Sequence, residues 1–350
     1  MATPVLEVAD LTVEFSTHDG VVQAVRGVTF DLDPGEVLAI VGESGSGKSV
    51  TSLAVMGLLP KTARIGGSVR YKGRELLGLK DKDLTTVRGK EIAMIFQDPM
   101  TSLNPVYTVG WQLAEAVRAH HDVDKKAAHA RAVELLQLVG IPNAASRADS
   151  YPHEFSGGMR QRAVIAMAMA NDPDVIIADE PTTALDVTVQ AQILETLEKA
   201  QEETGAAIVL ITHDLGVVAG MADEVLVMYA GKPVEVGTVD DIYYSPRMPY
   251  TLGLLGSLPR LDVEGESLTP IKGAPPSLIN LPPGCPFSPR CPLARVHCDE
   301  EEPQLRPIEG AGHVAACHYA EELAGDVKAE EIFSVTTADD GTASPTGETG

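Results

Sequence analysis

Apolar and polar positions alternate through residues 5–35, as in Leu11-Thr12-Val13-Glu14-Phe15 and Val28-Thr29-Phe30-Asp31-Leu32. That period of two predicts half-buried antiparallel strands, and Asp19-Gly20 between two such runs marks a hairpin. Short unbroken apolar runs follow at Val37–Val41, Ile92–Ile95, Val175–Ala178 and Ala206–Ile211. Runs of this kind are buried on both faces of a parallel sheet. From Asp98 to about Ala148 the spacing turns helical, with Trp111, Ala114 and Val117 on one stripe and Ala127, Arg131, Leu135 and Leu138 on another. A further helix is expected from about 187 to 203. The alternation of strands with helical segments predicts an α/β core carrying a helical insertion.

The first apolar run leads directly into Gly42-Glu43-Ser44-Gly45-Ser46-Gly47-Lys48-Ser49, and a helical segment from Ser49 to Met56 follows. Strand, G-x-x-x-x-G-K-[ST] and helix in that order form a phosphate loop. Glycines let successive backbone N–H groups turn toward phosphate oxygens, and the helix points its positive end at the same anion. Lys48 reaches the β- and γ-phosphates, and Ser49 offers its hydroxyl to Mg²⁺. Phe15, ahead of the loop, either stacks on a base or packs as an ordinary strand residue.

Three further stretches belong with this loop. Val175-Ile176-Ile177-Ala178 ends in Asp179-Glu180, and two acids closing a buried strand are costly unless they serve a metal or a charge network. Asp179 is placed to share Mg²⁺ with Ser49, and Glu180 to polarise a water for attack on the γ-phosphate. Glu154-Phe155-Ser156-Gly157-Gly158-Met159-Arg160-Gln161-Arg162 opens an Ala-rich helix and makes a second anion site. Gln97 and His213 both stand at predicted strand ends, on the edge where open α/β sheets gather ligands.

Gly42 to Ser49, Gln97, Ser156-Gly157-Gly158, Asp179-Glu180, Ala184-Leu185-Asp186 and His213 resemble, in order and spacing, the ATP-binding-cassette ATPases. The resemblance covers residues 5 to about 240. It implies a P-loop NTPase core with an antiparallel β subdomain and a helical subdomain. It also implies two cassettes facing head to tail, so that the phosphate loop of one and the Ser156-Gly157-Gly158 signature of the other enclose one ATP, with Asp186 nearby. By the same resemblance Glu180 acts as base or water-positioner and His213 senses the γ-phosphate. Gln97 links metal, water and the membrane subunit. Phe155 and Met159 depart from the Leu and Gln common in the family. Met248-Pro249-Tyr250-Thr251-Leu252-Gly253-Leu254-Leu255 and Ile271-Lys272-Gly273-Ala274-Pro275-Pro276-Ser277-Leu278 are similar to the C-terminal extension of oligopeptide and dipeptide importer ATPases; nickel-importer ATPases share much of it. The implied partners are a second cassette, two membrane-spanning permease subunits and, indirectly, an extracytoplasmic binding protein. The expected location is the cytoplasmic face of the membrane.

Composition narrows the field. The formal net charge of −23 argues against nucleic acid as a partner. No apolar run reaches the length of a membrane span, and the first residues lack a basic and apolar leader pattern. A soluble cassette ATPase acting on DNA or ribosomes would bring a second cassette, a coiled-coil insertion or a basic surface. A P-loop kinase gives no reason for the Ser-Gly-Gly signature. The expected division is a nucleotide-binding domain over 1–245 with a helical insertion over about 98–170, an extension over 246–322, and a disordered acidic tail over 323–350.

All four cysteines, Cys285, Cys291, Cys298 and Cys317, lie in the Pro-rich extension with gaps of five, six and eighteen residues. Zinc knuckles are tighter and so are ferredoxin runs, so the spacing leaves buried thiols, zinc (with His313 or His318 substituting) and an iron–sulfur cluster open. Resemblance to the importer extension favours a 4Fe–4S cluster, acting as a staple for a segment poor in large apolar residues.

Overall fold

The computed structural model describes residues 3–183, 185–257, 270–308, 312–323 and 329–333. β1 (Leu6–Thr17) and β2 (Gly20–Leu32) form the expected hairpin, and β3 (Val37–Val41) runs fully buried into the phosphate loop. The turn falls on His18-Asp19, one position earlier than the Asp-Gly signal, because Thr17 pairs with Gly20. β4 (Ala63–Tyr71) and β5 (Arg74–Glu75) complete an antiparallel sheet of order β2-β1-β4-β5.

β6 (Ile92–Ile95), β7 (Val175–Asp179), β8 (Ala207–Thr212) and β9 (Glu224–Tyr229) join β3 in a parallel array of order β9-β3-β8-β7-β6. β10 (Lys232–Thr238) adds antiparallel to β9, and β11 (Arg306–Pro307) and β12 (Val314–Ala315) extend the same sheet from the C-terminal region. Helices Pro99–Ser102, Val109–Arg118, Lys125–Leu138, Ala144–Arg147 and Gly157–Ala168 fill the expected insertion between β6 and β7. They share a core with one face of the parallel strands, including Leu113, Leu135, Ile165, Ile176 and Leu210. The antiparallel sheet packs on a second core with Leu38, Ile40, Val209 and Ile211. Trp111, grouped by spacing with the buried Ala114 and Val117, is 46% exposed and stacks on Tyr107.

The C-terminal region has a core of its own making only in part. Tyr250 and Phe287 bury themselves against Tyr229 of β9, and Val227, Val234, Met248 and Ala316 join the same cluster. The segment therefore borrows the edge of the cassette rather than standing alone. Of the tail expected to be disordered, most lies outside the described residues; Ala329–Phe333 is a helix whose Ile332 and Phe333 are buried.

One carboxylate in the sheet is pushed toward its neutral form. Glu224, at the start of β9, is held by burial and by neighbouring Glu36 and Asp31 at a pKa of about 7, above its ordinary 4.5. The folded chain therefore holds this proton more tightly than the unfolded chain. Its contribution to stability is fully present below about 4.5 and is lost as pH rises toward 7. Glu224→Gln is expected to raise Tm by roughly 2–4 °C at about pH 8 and to leave it unchanged near pH 4. Scanning calorimetry at the two pH values checks this, and an equal shift at both would contradict the assignment.

Candidate functional site

The phosphate loop joins β3 to the helix Lys48–Val55. Gly47 caps that helix with φ of 107°, and a Cβ there would lie 2.5 Å from the Ala24 carbonyl oxygen, so no other residue fits without moving backbone. Lys48 is 4% exposed, and its ammonium donates to the carbonyls of Gly42 (2.7 Å) and Glu43 (3.0 Å). Burial lowers its pKa, while the carboxylates of Glu180, Asp179 and Glu43 pull the other way. The Ser46 hydroxyl is buried in the loop without a hydrogen-bond partner. A buried orphan hydroxyl and a curled, desolvated ammonium suit an anion that the loop would enclose.

Ser49 Oγ donates to Asp179 Oδ1 at 2.9 Å, which brings together two residues 130 positions apart. Burial raises the Asp179 pKa; the Ser49 hydrogen bond opposes that rise and the Glu180 charge adds to it. A hydroxyl and a carboxylate oxygen at one point are hard oxygen donors of the type Mg²⁺ takes alongside phosphate. Glu180, the next residue, has φ of 47°, a left-handed conformation that turns it off the end of β7. Its Oε2 accepts from Gln97 Nε2 (2.9 Å) and from Thr183 Oγ1 (2.8 Å), and His213 Nδ1 stands 3.5 Å away. Thr183 was missed from sequence, although it lies three residues after Glu180.

A cleft of about 1020 Å³ is lined by Phe15, Gly42 to Gly45, Gly47, Lys48, Ser49, Gln97, Glu180 and His213. The structure thus gathers residues from the β1–β2 hairpin, the loop and three strand ends into one space. Leu254, Ser257, Ile271, Pro275 and Leu278 of the C-terminal region line it too, which no sequence signal foretold.

Ser156, Gly157, Gly158 and Asp186 are not among the residues lining this cleft. Ser156 caps the helix Gly157–Ala168 by accepting from the Met159 N–H, and Asp186 caps Val187–Thr204 by accepting from Val189. The two helix starts touch: a Cβ on Gly158 would lie 2.7 Å from Val189. Ala184 lies outside the described residues. Phe155, one of the two departures from the family pattern, is buried in the helical core.

The cysteines require a correction. Cys285, Cys291, Cys298 and Cys317 border one cavity of about 230 Å³ with Met248 and Phe287. Among the described residues, however, no group of three or more His, Cys, Asp or Glu is placed to hold a metal ion. The expected 4Fe–4S cluster is overturned, and the zinc alternative fails with it. All four are free thiols. Burial pushes the Cys291 thiol up to about 12 and the Cys317 thiol to about 11, and raises Cys285, so the protonated form is the one this apolar setting favours. The zinc candidates are engaged elsewhere, His313 Nε2 with Glu235 and His318 Nε2 with the Glu301 carbonyl. The segment needs no metal staple, because Phe287, Tyr250 and the β9 edge supply its core.

A phosphate loop at the carboxyl edge of a parallel sheet, faced by an acid pair and a helical insertion, defines a P-loop nucleotide-binding cassette. Residues 25–183 match the ABC transporter family, and residues 234–298 match the oligopeptide/dipeptide transporter C-terminal region. The Dipeptide transport ATP-binding protein DppD of Bacillus subtilis is 55% identical over 332 residues, covering 93% of this chain and 99% of that one. The Oligopeptide transport ATP-binding protein OppD of Mycobacterium tuberculosis is 58% identical over 337 residues, covering 96% of this chain. The chain spans 55% of the length of that mycobacterial relative. A dimeric ATP-binding cassette solved in a post-hydrolysis state with ADP and Pi superposes with a TM-score of 0.60 at 27% identity, over 67% of this chain and 98% of that one. This chain belongs to the ATP-binding-cassette ATPases of the oligopeptide and dipeptide importer family. No helix among the described residues is long and apolar enough to cross a membrane.

Proposed function

We propose that the chain hydrolyses ATP to energise a membrane importer of dipeptides or oligopeptides. The observation that carries this is the convergence of Lys48, Ser49 and the Gln97–Glu180–His213 group on one cleft, with Asp179 hydrogen-bonded to Ser49. Lys48 and the amides from Gly42 to Ser49 bind the phosphates, and Phe15 supports the base. Ser49 and Asp179, with Gln97 beside them, would hold Mg²⁺, which neutralises charge on the phosphate oxygens. Glu180 accepts a proton from the attacking water, held in place by Gln97 and Thr183; His213 meets the γ-phosphate. Phosphoryl transfer of this kind is chiefly positioning and electrostatics. Ser156, Gly157, Gly158 and Asp186 complete the site of a second cassette rather than their own, since they do not line the cleft of this chain.

Two membrane-spanning permease subunits at the cytoplasmic face, fed by an extracytoplasmic binding protein, are the partners this reading needs. The similarity of residues 234–298 to the oligopeptide/dipeptide C-terminal region supports peptides as cargo. Reconstituting the full chain with its permeases in liposomes and following ATP hydrolysis together with uptake of labelled dipeptide tests the proposal. Peptide uptake that stops when Lys48 is changed to Ala is expected. Hydrolysis without peptide uptake, or uptake of Ni²⁺ instead, would overturn the peptide assignment.

A further inference from the structure

Among the described residues, the C-terminal region meets the phosphate loop at Glu43, through an ion pair and a hydroxyl. The Arg290 side chain is 5% exposed, and the residue lies 247 positions after Glu43. Its two terminal nitrogens donate separately to the two carboxylate oxygens of Glu43, at 2.6 and 2.8 Å. A planar fork on a carboxylate fixes direction as well as charge. The guanidinium is itself held: Nη1 donates to the Tyr229 hydroxyl (3.2 Å) and Nε to the Lys272 carbonyl (3.1 Å), with Phe287 and Tyr229 rings alongside. The backbone N–H of Glu43 donates to the Tyr250 hydroxyl at 2.8 Å, and Tyr250 is fully buried. Both the side chain and the amide of the second loop residue are thus fixed from outside the loop.

Glu43 also lines the nucleotide cleft, and its carbonyl accepts from Lys48. A carboxylate there is a liability, because it would repel the phosphates that the loop is meant to bind. The same C-terminal region also lines the cleft through Ile271, Pro275 and Leu278, as Phe15 does, and the Gln23 N–H donates to the Leu278 carbonyl.

We propose that Arg290 is a positioning residue of the nucleotide site, which acts through Glu43 by neutralising its carboxylate and fixing the turn of the phosphate loop. The inference rests on the nucleotide reading given above. It makes the cysteine-rich region part of the ATP site rather than an appendage to it.

A double-mutant cycle on the full chain tests it, with MgATP affinity measured by titration calorimetry. R290M is expected to weaken MgATP binding about tenfold, because it leaves a partly buried anion unpaired beside the phosphates. In an E43Q background the same substitution is expected to change affinity less than about twofold, since no charge remains to neutralise. R290K, which keeps the charge but loses the fork, runs in parallel; it carries the comparison if R290M does not fold, and the same rescue is required of it. An Arg290 that merely holds the C-terminal region together would give an equal loss in both backgrounds, which overturns the proposal, as does wild-type affinity in R290M. Absence of MgATP binding by the parent chain removes the nucleotide reading and this inference with it; a parent chain that binds MgATP while R290M loses affinity equally in both backgrounds, or loses none, removes only the inference.

Discussion

Glu180→Gln is expected to bind MgATP as the parent chain does and to hydrolyse it at least about 100-fold more slowly. The geometry separates the two properties. Glu180 Oε2 accepts from Gln97 and Thr183, and a glutamine carbonyl oxygen can accept from both in the same place. The left-handed backbone at residue 180 and the shape of the cleft are left alone. What disappears is the ability to take a proton from water. Lys48, Ser49 and Asp179, which meet the phosphates and Mg²⁺ in the proposed arrangement, are untouched, so binding persists. Single-turnover hydrolysis alongside equilibrium binding reads both quantities in one preparation. Near-parental turnover would take Glu180 out of the chemistry, and a matching loss of binding would recast it as a structural residue.

The second large effect is expected from Ser156→Arg. Ser156 caps a helix and is not among the residues lining the cleft of its own chain. If that helix start closes over the nucleotide of a second copy, a bulky cation there abolishes hydrolysis by about 100-fold or more when every subunit carries it. Lys48→Ala is equally inactive, through the phosphate loop. Mixed in equal amounts, the two inactive chains pair at random, and half of the dimers carry both lesions in one composite site. Each such dimer keeps one intact site, so about a quarter of the parental activity returns. Failure to recover any activity across a series of mixing ratios, with mixed dimers demonstrated by cross-linking, would argue that the signature works on its own chain.

The gathering of these residues on one cleft was legible because its signals are local. Strand, loop and helix from Val37 to Val55 are contiguous, and their chemistry follows from residue types in a fixed order. The Asp179-Glu180 pair was found for the same reason, as two acids ending a run that is apolar for four residues. Contacts made by distant parts of the chain left no such trace. Nothing around Arg290 or Glu43 announces that they meet, since partners 247 residues apart share no period or spacing. Strands β11 and β12 have two residues each, too few for alternation to register. The cysteines misled for a physical reason. The segment takes apolar surface from outside itself, and Tyr229 of β9 is the surface against which Tyr250 and Phe287 pack.

The sheet ends on an edge that the chain supplies late. β10 pairs through Glu235 and Val236 with Ala315 and Val314 of β12, and β11 closes the row. A chain shortened after residue 245 would present β10 as an open rim, with Val234 stripped of Met248, Phe287 and Ala316 beside it. Exposed backbone next to bare apolar side chains is a template for joining one molecule to the next. The late strands thus act as a fender against self-association, and a trimmed cassette would meet a solubility failure before any failure of catalysis.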